Sequence, residues 1–287
     1  MSSEDAGVVI TEVGPRDGLQ NEHRAIPTAQ KIELVDRLSR AGFPEIEVSA
    51  FVRPDVVPQL SDAAAVFAGI ERCPNTVYSA LVPNEQGVIR AVDAGAQKVS
   101  VFTAASETFS QKNTNATIDE TIERFKPVVQ RAGAEGLSIR AYVSCAVACP
   151  YEGPTDSDAV ACVVERLLSL GPVEIDLGDT IGAATPDDID RLLASVGPLV
   201  ATELLVLHLH DTRGVAVSCA RRAMELGVRR FDAAVGGLGG CPFAPGAPGN
   251  LATESLLTLS DSMGLHTGID AEAVAGIGQW VRGVLAR

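Results

Sequence analysis

His208 and His210 stand two residues apart in Val206-Leu207-His208-Leu209-His210-Asp211-Thr212. Residues two apart on a strand face the same side, so both imidazoles would project together. The chain has four histidines, and two of them share this segment. Taken alone, the pair reads either as two hydrogen-bonded core histidines or as half of a metal site. Asp17, in Glu12-Val13-Gly14-Pro15-Arg16-Asp17-Gly18, could complete a mixed nitrogen and oxygen ligand set. Two imidazoles and one carboxylate, with positions open to amide or substrate oxygens, suit Mg²⁺, Mn²⁺ or Co²⁺ better than structural zinc. A non-haem iron oxygenase site uses the same ligands, but it leaves Arg16 and Cys241 without a role.

These residues need a scaffold that brings the ends of distant segments together. Short β-rich runs alternate with amphipathic stretches along the chain. Strands are expected at Val8–Val13, Glu45–Ala50, Val77–Val82, Lys98–Thr103, Ser138–Ser144, Val173–Leu177, Leu204–His208 and Arg230–Val235. Helices are expected at Thr28–Arg40, Asp62–Arg72, Glu85–Ala94, Ile118–Ala134, Asp156–Leu170, Asp187–Val196, Val215–Leu226 and about Leu251–Met263. Thr28, Thr117 and Thr185 are candidate N-caps, and Gly42, Gly95, Gly171, Gly227 and Gly264 are candidate helix stops. Eight β–α units in series predict an α/β fold, the (β/α)₈ TIM barrel, because each parallel connection needs a crossover helix. A doubly wound open sheet would want a glycine-rich phosphate turn after an early strand, and Gly14-Pro15-Arg16-Asp17-Gly18 puts a charged pair there instead. In a barrel the active site gathers at the C-terminal ends of the strands. The polar residues that interrupt the apolar runs fall at those ends. No linker or low-complexity tract divides the 287 residues. The expectation is one TIM-barrel domain over 1–287, with the barrel at about 8–264 and a short C-terminal helix over Ala271–Leu285.

A formal net charge of −14 opposes a broad grip on nucleic acid or an anionic membrane. An anionic substrate must then be drawn in by a local cation. The six cysteines show no C-x-x-C spacing, and a chain of this size needs no disulfide framework. The acidic start Met1-Ser2-Ser3-Glu4-Asp5 has no apolar leader region, and no apolar run is long enough to span a bilayer. Reduced thiols in a cytoplasm are the expectation.

The run Glu12 to Glu22, the segment His208-x-His210-Asp211-Thr212 and the loop Gly237-Leu238-Gly239-Gly240-Cys241-Pro242 resemble those of 3-hydroxy-3-methylglutaryl-CoA lyases, members of the DRE-TIM metallolyase superfamily. The similarity runs from about Val8 to Ile269. It includes Val143-Ser144-Cys145, Cys149-Pro150-Tyr151-Glu152-Gly153 and Leu177-Gly178-Asp179-Thr180-Ile181-Gly182. The resemblance implies divalent-metal-dependent cleavage of a 3-hydroxy-3-methylglutaryl or close 3-alkyl thioester of coenzyme A, with Mg²⁺ or Mn²⁺ as cofactor. It implies Asp17, His208, His210 and Asn250 as metal ligands, and Arg16 as the stabiliser of the departing enolate. It implies Cys241 as a proton-transferring thiol on a glycine-rich loop. His208, Glu47, Asp179 and Glu254 match further catalytic positions. Lys112 and Asn113, after the fourth strand, belong either to the coenzyme A contact or to a solvated loop. Glu47 and Asp179 read also as barrel-mouth ion pairs, Cys145 and Cys149 as packing, and His266 as surface.

The roles hold together chemically. Cleaving a β-hydroxy thioester requires a proton to leave a tertiary hydroxyl, the negative charge on the thioester fragment to be stabilised, and its carbon to be reprotonated. Four positions depart from the usual family pattern. Ala50 and Asp176 stand where serine is common, Arg213 where tyrosine is frequent, and His23 where lysine is frequent. These changes bear on the acyl group more than on the reaction type, so a citramalyl-type thioester stays open, as does a condensing acyltransferase or aldolase on the same scaffold. The chain ends without a C-terminal regulatory domain, which counts against allosteric condensing synthases. A small-molecule acyl-CoA is the expected partner, with neither nucleic acid nor membrane, and a homodimer is compatible with the sequence.

Overall fold

The computed structural model describes residues 7–20, 22, 24–171, 173–239 and 249–286. Eight parallel strands close into a barrel in chain order: β1 Val9–Glu12, β2 Glu45–Ala50, β3 Val77–Leu81, β4 Lys98–Ala104, β5 Ser138–Ser144, β6 Glu174–Asp179, β7 Leu205–Leu209 and β8 Arg230–Ala233. Closure is made by β1 on β8, from Val9 opposite Arg230 to Glu12 opposite Ala233. The helices are α1 Thr28–Arg40, α2 Ala63–Gly69, α3 Glu85–Asp93, α4 Glu107–Thr114, α5 Ile118–Ala134, α6 Ser157–Leu168, α7 Pro186–Val196, α8 Ala216–Glu225, α9 Thr253–Ser262 and α10 Ala271–Leu285. Their apolar faces meet the outer faces of the strands, as Leu34, Leu38, Val128, Val164, Leu192 and Ala220 do in one continuous core.

The TIM barrel expected from the alternation is the observed architecture, and several boundaries move. The sixth strand runs on through Gly178 and Asp179, because these two pair with His208 and Leu209 of β7. Leu204 belongs to a 3₁₀ turn, so β7 starts one residue later than expected and includes Leu209. The helix expected over Asp62–Arg72 shortens to Ala63–Gly69, because Asp62 turns its carboxylate to Lys31 and Thr28 and the chain is extended by Ile70. Thr28 is therefore the first helical residue and not the cap, which falls on Pro27. Thr117 and Thr185 do cap, each in a reciprocal capping box, with Glu120 and Asp188. Gly42, Gly95, Gly171, Gly227 and Gly264 all adopt positive φ at helix ends.

Three features went unread. Helix α4 occupies what sequence patterning left as a loop after β4; Ser106 caps it by accepting from the Phe109 amide. A short antiparallel ribbon pairs Ala148–Cys149 with Gly153–Pro154. A single π-helical turn spans Gly14–Gly18 at the end of β1.

The inside of the barrel is ionic. Polar residues recur in pairs two apart along the strands: Glu45 and Glu47, Lys98 and Ser100, Arg140 and Tyr142, Glu174 and Asp176, Arg230 and Asp232. Alternation turns each pair to the same face. Arg140 is fully buried and reaches Asp232 at 2.8 Å, Glu174 at 3.1 Å and Glu45 at 3.3 Å. Lys98 bridges Glu45 at 2.9 Å and also pairs with Glu174. This network lies below the polar side chains of the barrel mouth and supports them.

Candidate active site

A cavity of about 360 Å³ opens among the C-terminal ends of the strands. Its floor carries Arg16, Asp17, His208 and His210, residues that come from the first and the seventh strand ends.

Arg16 and Asp17 are delivered by the π-helical turn. The Val13 carbonyl accepts from the amides of Arg16 (3.1 Å), Asp17 (2.8 Å) and Gly18 (3.2 Å), gathering three residues over one acceptor. Glu12 pins the start of the turn, accepting at 2.9 Å from the amides of both Gly14 and Val235. Gly18 is required by space: a Cβ there would stand 2.7 Å from the Cβ of Leu238. The Arg16 guanidinium donates through Nε to Glu47 at 2.5 Å and through Nη1 to Asp17. Its carbon lies 5.4 Å over the Tyr142 ring. Burial works against this cation, but Glu47 and Asp17 outweigh it and hold its pKa well above the usual arginine range. Asp17 is pushed the other way: desolvation disfavours its charge, yet Arg16 and then the two histidines bring it down to about 2.

His208 and His210 project to the same side, with their Nε2 atoms 3.2 Å apart. His208 Nε2 is 4.0 Å from Asp17 Oδ2. The three donor atoms all lie within 4.8 Å of one another. Two imidazole nitrogens facing each other at this distance need a proton or a cation between them. Adjacent ligands of an octahedral ion with bonds of about 2.1 Å stand about 3 Å apart, so the spacing of the histidines fits a divalent cation. Asn250 joins from the far end of the chain, donating its amide to Asp17 Oδ2 at 2.9 Å and to the Leu238 carbonyl at 3.0 Å. Without a cation the two rings divide one charge. Burial lowers His208, but the Asp232 hydrogen bond and the Asp17 charge prevail and lift it to about 9. Burial and then the charge on His208 take His210 down to about 4.

The remaining expected residues divide by position. Glu47 is buried and does not line the cavity; it lies behind Arg16, holding it and accepting from Ser100 and, at 3.2 Å, from Tyr142. Lys112 and Asn113 lie on α4 and line the cavity, with Lys112 Nζ 4.0 Å from the Tyr151 ring centroid. Asp179 and Glu254 do not line it. Asp179 accepts from the amides of Ala183 (2.9 Å) and Ala184 (3.0 Å), fixing the loop after β6. Glu254 accepts from the Gly236 amide at 2.9 Å, where β8 turns into the glycine-rich loop. Cys241 and His23 lie outside the described residues. Cys145 and Cys149 pack with Ala104 and Phe109, and His266 is exposed. Arg213 is exposed and near enough to Asp179 to lower its pKa, although burial dominates and raises it.

Asp232 is the residue the sequence reading passed over. Fully buried, it accepts from His208 Nδ1 at 3.1 Å, Tyr142 Oη at 3.1 Å and Arg140 Nη1 at 2.8 Å. That fixes His208 with Nδ1 protonated and Nε2 free to face the Asp17 side, the usual outer-shell support of a ligating histidine. Beside it Asp176, 3.6 Å from Arg140, is held well above the usual carboxylate range by burial and then by the Asp232 charge. The signal was present: Arg230 and Asp232 repeat the two-residue spacing of charged groups that no outward, apolar-packed strand face would carry.

The family profile described as HMGL-like matches residues 7–281. The 3-hydroxy-3-isohexenylglutaryl-CoA/hydroxy-methylglutaryl-CoA lyase of Pseudomonas aeruginosa is 46% identical over 280 residues, covering 98% of this chain and 93% of that protein. The crystal structure of the HMG-CoA lyase from Brucella melitensis superposes with a TM-score of 0.96 at 48% identity, covering 98% of this chain and 99% of that one. An HMG-CoA lyase from Acinetobacter baumannii, solved in complex with coenzyme A and 3-methylmalate, gives 0.94 at 39% identity, covering 100% of this chain and 94% of that one.

Proposed function

Because this chain belongs to the HMGL-like family, we propose that it is a divalent-metal-dependent carbon–carbon lyase. Its substrate is 3-hydroxy-3-methylglutaryl-CoA or a close 3-hydroxy-3-alkyl acyl-CoA, cleaved to acetyl-CoA and a keto acid such as acetoacetate. The observation that carries the reading is a buried guanidinium, Arg16, fixed directly beside the Asp17, His208 and His210 donor set on one cavity floor.

Asp17, His208, His210 and, through its side-chain amide, Asn250 are the residues that would hold Mg²⁺ or Mn²⁺. When bound, the cation acidifies the substrate hydroxyl. Arg16 binds the thioester oxygen and holds the charge that develops on it; Glu47 and Asp17 keep its donors aimed without further rearrangement. His208 is oriented by Asp232, which keeps the ring proton on Nδ1 and the Nε2 lone pair turned toward the place the cation would take. Cys241 supplies the proton that the departing carbon takes up. Asp179 holds the loop after β6 and Glu254 the turn at Gly236, and Lys112 and Asn113 meet the coenzyme A arm. The reading places the protein in the cytoplasm, a reducing compartment in keeping with its described cysteines, which are free thiols.

The test is release of acetyl-CoA from 3-hydroxy-3-methylglutaryl-CoA by protein reloaded with Mg²⁺ or Mn²⁺. Consumption of acetyl-CoA with a keto-acid acceptor as the favoured direction would point to a condensing enzyme. Absence of release with either metal overturns the lyase reading.

A further inference from the structure

One wall of the cavity bears no polar side-chain atom. It is built from Ala50 at the end of β2, Val52 and Val57 in the loop that follows, Leu81 of β3 and Phe102 of β4. Ala50, Leu60, Leu81 and Tyr142 form a buried cluster apart from the main core, with Val52, Val57 and Phe102 packed against it. The register of β2 on β3 shifts between Glu47 and Ser49. Glu45 and Glu47 face the barrel interior, so unbroken alternation would bring Ser49 inward next. The irregularity puts Ala50 on the cavity in its place. Tyr142 ties this wall to the reacting end of the cavity: its ring lies beneath Arg16, and its hydroxyl bonds Glu47 at 3.2 Å. The cavity's polar rim, Lys112 and Asn113, is elsewhere, on α4.

We propose that this wall is a recess for the alkyl group on the 3-carbon of the substrate, and that the protein accepts 3-hydroxy-3-alkylglutaryl-CoA thioesters whose alkyl group is longer than methyl. The inference rests on the lyase reading. The tertiary carbon of such a substrate carries four groups: a hydroxyl, a thioester arm, a carboxylate arm and an alkyl chain. The first three have oxygens that would lose water against Ala50, Leu81 and Phe102 and find no hydrogen bond there. The alkyl group is the one of the four with no polar atom, and so the best match to this wall. Ala50 presents a single methyl group to the cavity, with no hydroxyl to solvate and little bulk to fill the recess. Each methylene buried there favours binding by about fourfold.

The experiment uses the metal-loaded enzyme and a series of 3-hydroxy-3-alkylglutaryl-CoA thioesters with methyl, propyl and hexyl groups, followed by acetyl-CoA release. Calorimetric affinities of the matching 3-alkylglutaryl-CoA analogues, which lack the hydroxyl and cannot be cleaved, run in parallel. From methyl to propyl, both kcat/KM and affinity should rise on the order of tenfold. Val57→Phe and Leu81→Phe, which fill the recess, should bring the propyl-to-methyl ratio to one or below. Val57 is a half-buried loop residue, so its variant stands if Leu81→Phe fails to fold. A tenfold fall from methyl to propyl in both readouts overturns the proposal. So does an equal loss on every thioester in the phenylalanine variants, which would assign the wall to the thioester arm. If methyl is cleaved and propyl neither binds nor reacts, the recess fails while the lyase reading stands. If nothing is cleaved, the lyase reading fails, and the analogue affinities still decide the recess.

Discussion

Replacing Asp232 by asparagine changes one oxygen to nitrogen and should cost much of the metal site's affinity. The geometry dictates which atom is lost. Asp232 Oδ1 accepts from Arg140 at 2.8 Å, and Oδ2 accepts from both His208 Nδ1 and Tyr142 Oη at 3.1 Å. Arginine has donors only, so the amide oxygen of an asparagine must stay with Arg140. The amide nitrogen then faces His208 Nδ1 and can only donate to it. His208 must move its ring proton to Nε2, the atom that stands 3.2 Å from His210 Nε2 and 4.0 Å from Asp17. A protonated Nε2 cannot ligate.

Loss of such an orienting partner lowers metal affinity roughly 10–100-fold, or about 1.4–2.7 kcal/mol. Mn²⁺ titration followed by the electron paramagnetic resonance of the free ion, with calorimetry beside it, reads this without any substrate. Melting curves establish that Asp232→Asn is folded at the titration temperature. A folded variant that binds Mn²⁺ within threefold of the parent would refute both the tautomer argument and the assignment of His208 as a ligand.

Chelation followed by gel filtration should abolish turnover, and Mg²⁺ or Mn²⁺ should restore it; full activity in metal-free protein would end the metal-dependent reading. Arg16→Lys keeps the charge but not the fork that serves Glu47 and Asp17, so kcat should fall on the order of 10²–10³-fold with little dependence on salt. An unchanged kcat with a salt-sensitive rise in KM would make Arg16 a mere attractor of anions. Cys241→Ala should leave the melting temperature nearly unchanged while kcat drops by roughly 10²-fold or more, and near-parental turnover would show the thiol idle. Glu12→Gln tests a buried acid that desolvation, against hydrogen bonds from Val235, Thr253 and Gly14, lifts from 4.5 to about 8. A raised folded pKa means that folding favours the neutral acid, so this stability is present below 4.5 and is lost as pH climbs through 8. Between pH 5 and 8.5, the unfolding free energy of the glutamine variant from urea titrations should therefore gain on the parent by on the order of a few kcal/mol, and parallel pH profiles would contradict the burial argument.

The barrel was legible because both of its periodicities are strong: short β-rich runs, and between them helices with caps and glycine stops. The histidine pair was legible for a related reason, since two-residue spacing at a strand end fixes a common face. What failed was local. Helix α4 has a mixed surface and a short length, and only Ser106 and Glu107 marked its start. The π-helical turn at Gly14–Gly18 has no periodic signature at all, yet it is what puts Arg16 and Asp17 side by side. Asp179 and Glu254 illustrate another limit. Asp179 ends β6 and Glu254 stands in the first turn of α9, and each accepts from backbone amides of a neighbouring loop, a contact that residue type and position do not announce. Asp232 is hidden for the opposite reason, lying inside a strand and below the mouth, where strand-end polarity gives no sign of it.

The ionic barrel interior explains why these distant residues can act together. Burying Arg140, Lys98, Glu45, Glu174 and Asp232 costs more than filling the same space with aliphatic side chains. The return is directional. Glu45 and Glu174 hold Arg140, Arg140 and Tyr142 hold Asp232, and Asp232 fixes the tautomer of His208. In parallel, Ser100 and Tyr142 hold Glu47, which aims Arg16. Tyr142 belongs to both chains and also to the apolar cluster with Ala50 and Leu81. A protein of net charge −14 thereby presents a guanidinium and a set of candidate metal-binding donors to an anionic thioester from a floor held by buried hydrogen bonds. An aliphatic barrel would be more stable, but it would leave His208 free to choose its tautomer and Arg16 free to turn toward solvent.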